Sequence, residues 1–347
     1  MDYLLTAASV CFFCLNGAMT RLFQLKMKGG KKALRLYQAG FCLVASVLNL
    51  AFFGINALPG TKTVILSLFF GILFAAASFL GAECYEKGPM SLTSVILNLS
   101  LAVPLVYSFI VFGESISTTG IAGLALLCVT FVLSALSASG GQKKINTAWI
   151  VMVALAFAAN GTTAVLQKAD AASGSSDGFF LGFAYFVGAL CFLVSWAVET
   201  GREKSGKCAA DAAAFVLPKG DALAKYLLAA VIITVVSGGG SFVGNMVLGK
   251  LSVRMDAAVL YPCVNGGLAV LTSVVSAVFF KEKMSLIKII SVAVGAADIL
   301  GQQVQHLCRL PVAVVLQGLA GELQLLQRFP CDDVPVIRHD HHRQVAA

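Results

Sequence analysis

Charge is what this sequence has least of. Only 12% of its 347 residues are Asp, Glu, Lys or Arg, while 58% are hydrophobic and the mean hydropathy is +0.87. Soluble domains carry about 25% charged residues. So little polar material cannot cover a globule of this size in water, which excludes a soluble fold. Histidine is scarcer still, and all four (His306, His339, His341, His342) fall near the C-terminus. The apolar segments therefore hold no imidazole, no metal-spaced ligand cluster and no Ser–His–Asp set. Neither an enzyme nor a bound cofactor or metal is expected. The ten cysteines are scattered, mainly inside apolar runs, so they imply no disulfide framework. Cys11 and Cys14 form a CxxC that reads as small hydrophobes on a lipid-buried helix. MDYLLTAASV lacks a basic n-region, so the first helix is expected to remain in place.

What is present is a series of apolar runs near the length of about 20 residues that crosses a bilayer as helix. Ten spans are expected, at about 3–23, 36–56, 64–84, 92–112, 118–138, 147–167, 179–198, 226–247, 257–280 and 286–302. Glu199–Lys225, charged and holding Pro218 and Gly220, reads as a solvated loop. With the N-terminus outside, the cytoplasmic loops carry 17 basic residues and the outer loops only Lys62, Lys168, Lys250 and Arg254. That asymmetry predicts an N-out, multi-pass protein of the plasma (inner) membrane. Only the tail, with four arginines, argues the other way. The net charge of +8 sits in clusters between spans and not on one basic face, so nucleic acid is not an expected partner.

The chain also repeats itself. Ser108, Phe112, Glu114 and Ser117 recur as Ser276, Phe280, Glu282 and Ser285, at a spacing of 168. Asn16-Gly17 with Gln24 matches Asn160-Gly161 with Gln167, and Ser78-Phe79-Leu80-Gly81 matches Ser241-Phe242-Val243-Gly244. Lys87 then matches Lys250. Five spans per copy is an odd number, so the second copy starts on the opposite side of the membrane. The expected fold is all-α: ten transmembrane helices as two inverted five-helix repeats, residues 1–138 and 139–303. Residues 304–347, rich in Gln, Arg and His, are expected to be a disordered or aberrantly encoded tail.

Polar side chains inside spans are costly in hydrocarbon and mark candidate cavity positions. These are Asn16, Asn160, Asn98, Asn245, Tyr261, Asn265, Ser78 and Ser241, with Tyr185 on span seven. Helix-to-helix hydrogen bonding is the plainer use of each. Ser237-Gly238-Gly239-Gly240-Ser241 needs a reason in mid-span: either close helix approach or a local opening that presents carbonyls. Pro104 and Pro262 are candidate kinks. Gly244–Lys250 imitates a P-loop, but Leu251 stands where Ser or Thr would bind magnesium. No carboxylate sits at a span centre. Glu114 and Glu282 fall at short turns, with Ser117 and Ser285 as N-cap candidates, and read as structural repeat markers.

Ten spans in inverted halves, each fourth span ending in an apolar–x–Glu–x–x–Ser turn, resemble the EamA-type transporters of the drug/metabolite transporter superfamily. The resemblance implies a secondary carrier with a cavity lined by spans one, three, four, six, eight and nine. It also implies export of a small polar or amphipathic metabolite by alternating access. A drug or lipid-linked substrate is the alternative, and a non-transporting scaffold or sensor is a further one. The first span lacks the glutamate of the small multidrug branch. Expected partners are the bilayer and a small-molecule substrate, with a homodimer as the candidate assembly.

Overall fold

The computed structural model describes residues 2–27, 30–53, 59–88, 93, 96–113, 121, 125, 128–129, 146–174, 177–204 and 221–279. By its internal contacts the chain divides into Met1–Gln303 and Val304–Ala347, and every described residue lies in the first unit. Most of span five, all of span ten, Glu114, Glu282, Ser117, Ser285 and the tail lie outside the described residues.

Among the described residues there is no strand. Seven helices are long and apolar enough to cross a membrane, which makes this a helical, membrane-embedded protein. They are α1 (Asp2–Met27), α2 (Gly30–Phe53), α3 (Thr61–Lys87), α5 (Thr147–Ala171), α6 (Asp177–Lys204), α7 (Asp221–Ser252) and α8 (Ala257–Phe279). A shorter apolar helix, α4 (Ala102–Phe112), follows a 3-10 turn at Leu99–Leu101. Hydrocarbon offers no partner for a free N–H or C=O, so long runs of Leu, Val, Ala and Phe close their bonds within the helix. Their outward faces stay apolar, as at Phe52, Ile72, Ile110, Val194 and Leu228. Helix ends carry local signals: Asn146 caps α5 by accepting the Trp149 N–H at 2.8 Å. Gly113, at φ 64°, ends α4 in the left-handed region.

Two sequence expectations change, and a third reading left open is decided. The 199–225 loop is shorter than read, because α6 continues to Lys204 and α7 begins at Asp221. Pro104 does not kink a helix interior. It sits in the first turn of α4, and the irregularity lies one turn earlier, where proline cannot donate to the carbonyl of residue 100 and the chain tightens into the 3-10 turn. The three glycines of α7 open nothing, since the helix is continuous from Asp221 to Ser252. Two of them, Gly238 and Gly240, let backbones approach, while a Cβ at Gly239 would meet nothing within 4 Å. A Cβ at Gly238 would lie 2.6 Å from Val44 Cβ, and one at Gly240 would lie 2.9 Å from the Phe12 carbonyl oxygen.

The principal helix pairings are α2 with α6, α1 with α7, α3 with α5, α3 with α6, α2 with α7, α1 with α8, and α4 with α5. The main core fills the α2–α3–α6–α7 space with Tyr37, Phe41, Phe70, Phe180, Tyr185, Phe192 and Phe242. At one end of the bundle the start of α2 meets the ends of α3 and α6. Glu83 pairs with Lys87 at 2.8 Å and Lys31 at 3.4 Å. Arg35, 2% exposed, lies on the Phe79 ring at 4.5 Å, donates to Gln38, and faces Glu199 across 3.7 Å. At the other end Asp2 faces Arg254 at 3.9 Å. Removing one partner of a buried ion pair leaves an uncompensated charge. Arg35→Ala should therefore cost about 3 kcal/mol, read as a lowered unfolding temperature in detergent. Lys31→Ala, at an exposed pair, should cost about 0.5 kcal/mol or less.

A polar seam along the fifth long helix

One face of α5 gathers three other helices. Asn160, Ala164 and Gln167 stand at i, i+4 and i+7, one above another. Asn160 Nδ2 donates to Ser100 Oγ at 2.6 Å, beside α4. The Ala164 carbonyl accepts from Tyr261 Oη of α8 at 3.5 Å. Gln167 Nε2 donates to the Asn245 carbonyl of α7 at 2.7 Å. Next to Asn160, a Cβ at Gly161 would lie 2.5 Å from Val103 Cβ and 2.7 Å from the Ser100 carbonyl oxygen. Only glycine allows this approach. The Pro104-induced 3-10 turn presents Ser100 there, so local sequence and tertiary contact meet at one point.

The hydrogen bonds also fix which way two amides point. Ser100 spends its single proton on the Leu97 carbonyl at 2.7 Å, so it must accept from Asn160. Asn265 Nδ2 donates to the Tyr261 carbonyl at 3.0 Å, a pure acceptor. Asn265 is half-buried and Asn160 is exposed, and the Oδ1 of each is left as an acceptor. α5 starts at the lysine-bearing end, where Trp149 Nε1 donates to the Cys84 carbonyl at 3.2 Å; α8 starts at the opposite end. The two run antiparallel, so Asn160 and Asn265 both lie one turn from the Tyr261–Ala164 contact on its lysine-bearing side. On the other side Leu101, Leu105, Ala257, Ala258 and Tyr261 form a small buried cluster.

Not all the predicted positions belong here. Ser241 and Asn245 join Tyr185 in a closed structural network. Asn245 Nδ2 donates to Tyr185 Oη at 2.7 Å and to the Ser241 carbonyl at 3.1 Å, and Tyr185 Oη lies 2.8 Å from Ser241 Oγ. Tyr185 is fully buried, and these bonds bind α6 to α7. Asn16 lies against Gly240, and its carbonyl accepts from Thr20 Oγ1 at 3.0 Å. Asn98 sits just before the 3-10 turn, and Ser78 is half-buried on α3. A second network, missed from the sequence, ties α1, α2 and α7: Tyr37 Oη donates to Ser237 Oγ at 2.7 Å and meets Thr20 Oγ1 at 3.0 Å. Ser100 and Gln167 were also missed as site residues. Gln167 carried a signal, being a polar amide inside a span.

No family model matches the chain, and no curated protein matches it. One solved structure, described only as the crystal structure of a protein, superposes with a TM-score of 0.60 at 17% identity. The match covers 85% of this chain and 94% of that one. The likeness is one of fold.

Tyr185→Phe should leave the Asn245 amide short of a partner and cost about 1–2 kcal/mol, lowering thermal stability without touching the α5 seam. Gly161→Leu should cost more, about 2–3 kcal/mol, by overpacking against Val103 and Ser100. Melting curves of the two variants in one detergent would check the order.

Proposed function

We propose that this chain is a secondary membrane carrier of the EamA type, moving a small polar or amphipathic metabolite by alternating access. In this reading ten spans form two inverted repeats, 1–138 and 139–303, with α1 to α4 equivalent to α5 to α8. The observation that carries it is the pattern of helix pairings. Exchanging the halves turns α1–α7 into α5–α3, α3–α6 into α7–α2, and α1–α8 into α5–α4, while α2–α6 maps onto itself. Each of these pairs exists. A helical protein without internal symmetry has no reason to close on itself this way, whereas a carrier uses two near-equivalent halves around a central site.

The polar seam supports the same reading. Asn160 and Asn265 offer uncharged acceptors in mid-membrane, which suits neutral or zwitterionic groups better than ions. The seven described spans carry their ion pairs at helix ends. Ion-pair ends and a neutral middle fit a site that releases its ligand readily. Export of the metabolite is the expected direction, through the plasma membrane with the N-terminus outside.

Two measurements test this. A membrane-impermeant thiol reagent should label a cysteine at Glu114 only from outside and one at Glu282 only from inside. Labelling of both from one face would overturn the inverted topology. Untargeted metabolomics of cells with and without the protein should show one metabolite class retained in its absence. Asn160→Ala should cut that flux by about tenfold, the equivalent of about 1.4 kcal/mol for a lost hydrogen bond; an unchanged metabolite profile would count against transport.

A further inference from the structure

Asn160 is exposed where its helix is otherwise buried. Trp149, Val153, Ala156 and Gln167 share its stripe of α5, and all four are buried. The lipid-facing stripe is the opposite one, where Val151 is 52% and Leu155 54% exposed. A polar side chain that is open in the middle of an inward face borders an internal space and not the bilayer.

The helix contacts show what encloses that space. α5 touches α7 through Gln167 and α8 through Ala164, and Asn160 lies between those two directions on the helix. α1 touches the same two helices, α7 through Asn16 against Gly240 and α8 through Val10 against Gly267. Gly17 lies between these directions and is exposed, and a Cβ on it would meet nothing within 4 Å. So α1 and α5 face one another across a space bounded by α7 and α8. Thr6, Val10, Gly17 and Gln24 follow one stripe of α1 toward the lysine-bearing end. The first two are buried and the last two exposed, so the space is shut toward Asp2 and Arg254 and opens toward Lys31. Val10 with Leu260 and Val264 plugs the shut end, and Tyr261 closes it beneath the two asparagines.

We propose that this space is the ligand site and that its ligand is an uncharged, hydroxyl-rich molecule. The proposal deepens the carrier reading above, from which the ligand takes its role as cargo. The walls select the chemistry. Asn160 and Asn265 each spend one amide N–H inside the protein, on Ser100 and on the Tyr261 carbonyl. Each then offers an acceptor oxygen and a second N–H. A hydroxyl both donates and accepts, so neighbouring hydroxyls satisfy one carboxamide at both its atoms. A carboxylate or an ammonium would reach this depth without a counter-charge, at the desolvation cost of an unpaired ion. The charges that flank this level on α1 and α5 are Arg21 and Lys168. Arg21 stands one turn nearer the open end than Gly17, and the Lys168 ammonium lies on the Phe112 ring of α4 at 5.1 Å.

The test uses the full-length protein in native membranes and a water-soluble maleimide, with labelling resolved at each introduced cysteine by mass spectrometry. Gly17→Cys and Asn160→Cys should react. Val10→Cys, at the shut end of the α1 stripe, and Leu155→Cys, toward lipid, should stay unmodified. Gly17→Cys fits without a clash, so it reports on the space even where Asn160→Cys impairs folding. Reaction at Gly17→Cys no faster than at Leu155→Cys would overturn the site. For the ligand, the neutral polyols glycerol, xylitol and sorbitol are the probes, with free serine and ethanolamine as charged controls. At least one polyol should slow labelling of Gly17→Cys severalfold, and neither control should do so at the same concentration. Asn265→Ala should raise the polyol concentration for half-protection about tenfold, the effect of one lost hydrogen bond. Protection by serine or ethanolamine, or by none of the compounds, would overturn the ligand class. Polyol protection in a chain whose loss changes no metabolite would uphold the site and sink the carrier reading. A metabolite change without polyol protection would do the reverse.

Discussion

Close backbone approach is the constraint on which everything else here depends. In lipid, apolar helices gain no hydrophobic energy by pairing, because the acyl chains they leave are as apolar as the side chains they meet. Association then rests on dispersion at short range and on hydrogen bonds between helices. The glycines supply the first. Gly238 seats α7 on α2, Gly240 and Gly244 seat it on α1, and Gly161 seats α5 on α4. At Gly71 an added Cβ would strike the Ala184 carbonyl, and this fixes α3 against α6.

The hydrogen bonds supply the second, and they divide into two kinds. Tyr185 with Ser241 and Asn245, and Tyr37 with Ser237 and Thr20, close most of their donors and acceptors on one another. Such networks fix helix register and offer little to a ligand. The α5 seam is different in kind. Its amides at Asn160 and its neighbour Asn265 use their nitrogens within the protein and keep their oxygens free for other donors. Gln167 joins helices through a main-chain carbonyl, a contact that can break and re-form without a matching side chain. Rigid glycine seats beside breakable amide contacts are what a bundle needs if it is to move as a few bodies.

Much of this was legible in the sequence, for reasons that can be named. Seven of the expected spans correspond to long helices and an eighth to α4, because length and apolarity alone decide whether a segment is stable as helix in lipid. The Asn-Gly and Ser-Phe-x-Gly echoes picked out Gly161 and Gly244, which stand at close approach, along with Gly17 and Gly81, which do not. Their roles were less legible. Asn245 and Ser241 looked like cavity residues, since a polar group in a span looks the same whether it faces a partner helix or a ligand. Ser100 was passed over because a serine next to a leucine run carries no signal until Pro104 is seen to tighten the turn around it.

The sequence by itself determined that the chain is membrane-embedded, roughly where its described long helices lie, and which stretches of it echo one another. Those properties depend on hydropathy, length and identity, which are local and additive. Only the tertiary structure decided which of two like motifs has its glycine at a close contact. Asn16-Gly17 and Asn160-Gly161 are the same words in the chain, yet a Cβ at Gly17 would meet nothing within 4 Å while Gly161 is pressed on Val103 and Ser100, and Asn16 lies against Gly240 while Asn160 bonds to Ser100. Like words carry the same capacity for contact, and the difference between them arises only when each helix is packed against its own neighbours.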